Sequence, residues 1–261
     1  MDALIGHTGF VGGNLAAQHR FDATFHSKTI DTIRDRRFRR VVVSAMPAEM
    51  WVANRDPDGD RAALGTLWSN LSRCQADEVV VISTVAVYPV PVAVDEDTLI
   101  DPAFGTAYGR HRRELEVLAG RHFPRVLSVR LPGLYGPGLK KNAVYDLLHD
   151  NQLGKVHAGA VYQFYDLNRL WSDVQTALRA DLRVVNLATE PVSVRDVARA
   201  AFGLDFRNDP GTRPAHFDMR TRHAPLFGGA GGYLETREQV LAGLTRFVAT
   251  ERSKAAPRLA A

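Results

Sequence analysis

Three glycines, Gly6, Gly9 and Gly12, recur at every third position in Gly6-His7-Thr8-Gly9-Phe10-Val11-Gly12, directly after an apolar run and just before Asn14-Leu15-Ala16-Ala17. Glycine lets the backbone turn tightly, lets a pyrophosphate approach with no Cβ in the way, and lets helix and strand pack closely. The helix that follows offers free N–H groups and positive dipole to an anion. The loop is therefore expected to seat a dinucleotide, with Thr8, Phe10 and Val11 beside the glycines. In the usual fingerprint an acid about 20 positions on bonds the adenosine ribose. Here the second apolar run ends in Phe25-His26-Ser27-Lys28, with Asp22 before it and Asp31 beyond it. Ser27 and Lys28 repel no phosphate, which favours NADP over NAD; an ordinary solvated lysine is the alternative. Other chemistries find less support. The nine histidines lack metal-ligand spacing, so no metal is expected. There is no Gly-x-Ser-x-Gly elbow, and the loop lacks the Gly-Lys-Ser/Thr of a P-loop.

Such a loop works only on a scaffold of buried strands. Continuous apolar runs at Ala3–Ile5, Ala23–Phe25, Val41–Val43, Val79–Ile82, Val126–Val129 and Val184–Leu187 read as parallel strands covered on both faces. Helical patterns alternate with them, at Arg61–Cys74, Phe104–Ala119, Val144–Asp150, Leu170–Ala180, Val194–Phe202 and Thr236–Glu251. In the first of these, Leu64, Leu67, Trp68 and Leu71 fall on one face. The order predicts an α/β protein with a Rossmann-like doubly wound parallel sheet and a small C-terminal substrate-binding region. Residues 1–131 are expected to form the core, with 162–190 returning to it, and residues 132–161 and 191–261 the smaller region. The end, residues 253–261, reads as a frayed tail.

The 261 residues are 45% hydrophobic, enough for one large core. The net charge of +4 sits in short clusters such as Arg36, Arg37, Arg39 and Arg40, without the aromatic interleaving of a nucleic-acid binder. No nucleic-acid partner is expected. Cys74 is the single cysteine, which excludes an intramolecular disulfide and fits a cytoplasmic protein. No apolar run approaches the roughly 18 residues of a membrane span, so no membrane partner is expected either.

Four segments in order resemble the extended short-chain dehydrogenase/reductases, also called the NAD-dependent epimerase/dehydratase family. They are the glycine loop; Val79–Ser83 running into Thr84-Val85-Ala86-Val87-Tyr88; Tyr108-Gly109-Arg110-His111-Arg112; and Arg130-Leu131-Pro132-Gly133-Leu134-Tyr135-Gly136-Pro137-Gly138. A looser match is Asn186-Leu187-Ala188-Thr189-Glu190-Pro191-Val192-Ser193-Val194. The resemblance implies that Thr84 bonds the substrate oxygen and that Tyr108 moves its proton. The family activates that tyrosine with a lysine one helical turn on, and here the position holds Arg112. An arginine can stabilise a phenolate and donate to ribose hydroxyls, but it cannot pass a proton on. Catalytic competence and a silent, remodelled site both remain open. By the same resemblance Ser44, Ala45, Met46, Leu131 and Pro132 border the cofactor.

On the substrate side, the family's dehydratases carry acids directly after the threonine, where Val85 and Ala86 stand here, so a dehydratase is disfavoured. Asp95, Glu96 and Asp97 read as a solvated loop. Members that bind nucleotide diphosphates place an arginine where this chain has Tyr162, which weakens the nucleotide-sugar reading. Lys140, Lys141, Asn142, Gln163 and Arg169 are the remaining polar candidates, with Tyr88, Gly133 and Tyr162 beside them. The resemblance implies an NAD(P)-dependent reductase or epimerase acting on a carbonyl or hydroxyl carbon, of a sugar or nucleotide-sugar; the alternative is a dinucleotide-binding sensor or scaffold. It also implies a homodimer through the helices at Arg61–Cys74 and Phe104–Ala119.

Overall fold

The computed structural model describes residues 1–255. Six strands, β1 (Asp2–Ile5), β2 (Ala23–Phe25), β3 (Arg37–Val43), β4 (Gln75–Thr84), β5 (Val126–Leu131) and β6 (Val184–Asn186), form a wholly parallel sheet in the order β6-β5-β4-β3-β1-β2. These are the six predicted runs. β-branched residues stiffen each run, and alternate side chains pass to opposite faces. On one face Val41, Val43, Val79 and Val81 meet Leu64, Leu67 and Leu71 of α3 (Pro57–Leu71), together with Leu115 and Ala119 of α4 (Ala107–His122). On the other, Leu4, Val42, Val80, Leu127 and Val129 meet Leu15 of α1 (Phe10–Gln18) and Leu170, Val174 and Ala177 of α6 (Leu170–Arg179). The sheet is thus doubly wound. β2 lies on one side of β1 and β3 on the other, so the chain reverses direction at β1/β3 and opens a crevice at the carboxyl edge there.

A third apolar cluster joins Tyr135 and Phe164 to α5 (Ala143–His149), α7 (Val194–Val197) and α8 (Arg237–Ala255). Asn142 caps α5 and Ser193 caps α7, as polar residues at helix starts should. The helix predicted over Val194–Phe202 is α-helical only to Val197 and then widens to a π-turn over Ala198–Phe202. Residues 253–255 of the expected tail continue α8, and the rest of it lies outside the described residues. The short helix α2 (Met50–Arg55), unforeseen in the sequence, packs on α4 beside the carboxyl edge. No helix among the described residues is long and apolar enough to cross a membrane.

Candidate active site

The chain leaves β1 at Gly6, at φ +89°. A Cβ there would lie 2.2 Å from the Ser44 carbonyl oxygen, and one on Gly12 would lie 2.0 Å from the Gly6 carbonyl oxygen. Backbone packing alone demands both glycines. Gly9 is different: its φ is an ordinary −81°, and the nearest atom to an added Cβ is the Gly6 carbonyl oxygen at 3.4 Å. Close approach of a ligand explains a glycine there better than the fold does. Helix α1 starts at this point with no side-chain cap, so its first N–H groups have no side-chain partner. Thr8 is exposed, while Phe10 and Val11 lean on the core.

Ser44 follows β3 with its N–H bonded to the Ile5 carbonyl at 2.9 Å, and Ala45 and Met46 pack against the core. Met46 sits at φ +104°, a strained backbone for a non-glycine residue, in the stretch that borders the glycine loop. Ser27 and Lys28 are exposed beyond β2. His26 stands at the strand end in place of an acid, its Nδ1 accepting from the Lys28 N–H at 3.3 Å and its ring 5.6 Å from that of His7. Uncapped N–H groups, an open Gly9 and a strand end free of carboxylate fit a dinucleotide phosphate.

Thr84 ends β4, and its hydroxyl oxygen accepts from the Ala86 N–H at 3.2 Å, leaving its hydrogen to donate. Helix α4 can approach this turn because Gly109 faces the Ala86 carbonyl oxygen, which an added Cβ would meet at 1.8 Å. That approach brings Tyr108 to Thr84. Thr106 and Asn54 fix the start of the helix by accepting from the Gly109 and Tyr108 N–H groups at 3.2 and 3.0 Å.

Arg112 is on the face of Tyr108, as its spacing predicts, with its guanidinium carbon 3.7 Å from the ring centre. Its expected role needs correction. Nη1 donates to Asp60 Oδ2 at 2.5 Å and to the Tyr108 carbonyl at 3.2 Å, and Nη2 donates to the Pro47 carbonyl. Arg112 is 4% exposed and Asp60 5%, and His111 Nδ1 meets the same Asp60 oxygen at 2.7 Å. The cation expected to activate Tyr108 and hold ribose is therefore neutralised in a buried pair. Burial pushes the Tyr108 phenol above its ordinary value, outweighing the opposite pull of Arg112 and of the Thr84 hydroxyl. That direction is opposite to the lowering that activation by a neighbouring cation would give.

One turn further on α4, Glu116 makes a second buried pair, accepting from Arg130 Nη2 at 2.8 Å and from the Ser83 hydroxyl at 2.5 Å. Burial acts to raise this carboxyl, but the bonds from Arg130 and Ser83 hold it below its ordinary value. The two pairs pin α4 to α3 and to the sheet. Tyr88 belongs to this network and not to a substrate site: it is buried, and its hydroxyl donates to the Asp95 carbonyl at 2.7 Å and accepts from Arg130 at 2.7 Å. The acidic run is also more than a solvated loop. Glu96 accepts from the Asn186 N–H at 2.8 Å, the Thr221 hydroxyl at 2.6 Å and the Arg222 N–H at 2.9 Å.

A cleft of about 330 Å³ brings together Thr84, Tyr108, Pro132, Gly133, Asn142 and Tyr162, with Ala48, Met50, Val85, Ala86, Ala143, Gln163, Phe164 and Phe217 completing its wall. Leu131 is buried in the sheet just before it. Asn142 lines the cleft, but its amide donates to the Leu134 carbonyl and caps α5, so it is not the free polar contact expected. Gln163 is committed likewise, to the backbone of Thr189 and Met219. Arg169 is not at the cleft; it pairs with Glu235 at 2.9 Å and Asp173 at 3.5 Å. Lys140 is exposed, and Lys141 donates to the Ala48 carbonyl at 2.7 Å beside Glu49, on the rim.

No family model matches the chain, and no curated protein matches it. Solved structures do share its fold. Over 98% of this chain and 100% of the other, it is 16% identical to the UDP-glucose 4-epimerase of Thermotoga maritima, solved with UDP-glucose, at a TM-score of 0.70. A dTDP-4-dehydrorhamnose reductase of Clostridium acetobutylicum is 17% identical over 97% and 100% of the two chains, with a TM-score of 0.72. RMD of Pseudomonas aeruginosa, complexed with NADPH, is 18% identical over 96% and 99%, with a TM-score of 0.71. The architecture is thus the Rossmann-like α/β fold of these proteins, along almost the whole chain.

Proposed function

We propose that the protein is an NADP(H)-dependent oxidoreductase of the extended short-chain dehydrogenase/reductase type that reduces a carbonyl carbon, with NAD(H) as the weaker cofactor. The observation that carries this reading is the sharing of one cleft by the Thr84 and Tyr108 hydroxyls at the carboxyl edge of the sheet. Gly6, Gly9, Gly12 and the start of α1 would hold the pyrophosphate, with Ser27 and Lys28 toward the adenosine phosphate and Ser44–Met46 along the strand ends. A bound nicotinamide supplies hydride. Thr84 donates a hydrogen bond to the substrate oxygen, and Tyr108 hands that oxygen its proton as charge develops. A phenol that burial holds in its protonated form can donate to the oxygen of a carbonyl being reduced.

The role of Gly9 can be separated from stability. In Gly9→Ala the melting temperature is expected to stay within a few degrees of the native value, while the Kd for NADPH rises by about tenfold, read by fluorescence titration.

The cleft favours a compact, largely apolar carbonyl compound. No Lys, Arg, Asp or Glu lines it among the described residues, and both of its side-chain amides serve the backbone. A buried diphosphate without a cation would go unpaired. A nucleotide-sugar is the second reading, supported by Lys140 and Lys141 near the rim and by the UDP-glucose bound to the Thermotoga epimerase of the same fold. NADPH oxidation with aromatic aldehydes and ketones is expected to proceed unhindered by UDP-glucose. Competitive inhibition by UDP-glucose would favour the second reading, and tight NADPH binding with no turnover on either class would favour a sensor. In this reading residues 1–131 and 162–190 carry the cofactor side, and residues 132–161 with those after 190 the substrate side. A cytoplasmic location and pairing of two copies through α3 and α4 belong to the same proposal.

A further inference from the structure

We propose that Asp60 is a positioning residue that takes up the charge of Arg112 and so sets the field in which the Tyr108 phenol works. This rests on reading Tyr108 as the proton donor. Asp60 projects from the first turn of α3, 52 residues before Arg112 in sequence, and its Oδ2 receives both Arg112 Nη1 at 2.5 Å and His111 Nδ1 at 2.7 Å. Both partners are buried, Asp60 5% and Arg112 4% exposed, so solvent screens the pair little.

The groups that face Tyr108 explain what the carboxylate does. Arg112 on its own helix presses a cation on the ring, 3.7 Å from its centre. From β4 comes the neutral Thr84; from α2 comes Asn54, which accepts from the Tyr108 N–H; and the loop after β3 contributes the Pro47 carbonyl to Arg112. Glu49 and Lys141, on the rim, pair with each other at 3.4 Å. Asp60, reached through α3, is the anion that acts on the phenol among the described residues. An arginine left unopposed there would favour the phenolate more strongly than the paired one does. With Asp60 in place, the guanidinium orients the ring while its charge is balanced. A lysine could not make the same three-way bridge to Asp60, the Tyr108 carbonyl and the Pro47 carbonyl with a planar fork. Asp60 and Arg112 thus work as a unit.

Alkaline titration of phenolate absorbance tests this without a substrate. Each protein is compared with its own Tyr108→Phe counterpart, so that the difference isolates Tyr108 among the seven tyrosines. In Asp60→Asn the Tyr108 midpoint is expected to fall by about one pH unit, because Arg112 loses its counter-ion. In Arg112→Gln it is expected to rise, because the Asp60 charge then faces the phenol alone. A residue that only braces the helices would move neither midpoint, or both in the same direction, and either result overturns the proposal. If Asp60→Asn does not fold, Arg112→Gln decides: an unmoved or lowered midpoint overturns it. The reading of Tyr108 as proton donor fails separately, if Tyr108→Phe keeps its turnover while the midpoints move as stated.

Discussion

In Tyr108→Phe, carbonyl reduction is expected to fall by about 1000-fold, about 4 kcal/mol of transition-state stabilisation, while NADPH still binds with native affinity. Phenylalanine keeps the ring on the Arg112 guanidinium and the contacts of α4, so the fold has no reason to change. The substitution removes only the hydroxyl that shares the cleft with Thr84. Thr84 can still orient the substrate oxygen, but its hydroxyl is a far weaker acid than a phenol and cannot stand in as proton donor. Because burial raises the Tyr108 phenol, the native protein should reduce at a rate nearly flat through neutral pH. The reverse oxidation, which needs the phenolate, should speed up as pH rises. Steady-state rates in both directions check this; a Tyr108→Phe turnover within tenfold of native would show that the proton comes from elsewhere.

Arg112→Met is expected to cost about 3 kcal/mol of stability, because it leaves Asp60 as a buried carboxylate facing only His111. For a chain of this size that lowers the melting temperature by about 6 °C. Replacing both partners, in Asp60→Leu with Arg112→Met, removes the unpaired charge and should recover most of the stability, since buried pairs are often matched by apolar packing. Thermal melts of the single and double variants distinguish these cases. A loss below about 1 kcal/mol in the single variant would mean that the pair behaves like an exposed one.

The sheet was readable in the chain because each strand is a short run of apolar, mostly β-branched residues that can be buried on both faces. The glycine loop was readable because backbone packing demands Gly6 and Gly12 in any sequence that turns from β1 into α1. Asp60 carried a weaker signal. It lies one turn ahead of Leu64 on the same stripe as Leu67 and Leu71, and a carboxylate on a core-facing stripe implies a buried partner. What the spacing could not supply was which cation that partner would be, since Arg112 comes from another helix. Glu116 follows Arg112 by one turn and carried the same kind of signal. Tyr88 went the other way: its place in the threonine motif suggested the substrate, but the short turn over Val85–Val87 carries it to Arg130, where its hydroxyl is taken up. Asn142 likewise reaches the cleft through a backbone at φ +132°, where its side chain is needed as a cap. Polar residues reveal where they sit far less than apolar ones do, because each can be satisfied by backbone as readily as by ligand.

The most direct test of the dinucleotide reading is a fluorescence titration of the native protein with NADPH and, separately, with NADH. The expected result is saturable binding of both, tighter for NADPH, with affinity for NADPH reduced in Gly9→Ala at unchanged melting temperature. Absence of binding to either cofactor by a folded protein would contradict it.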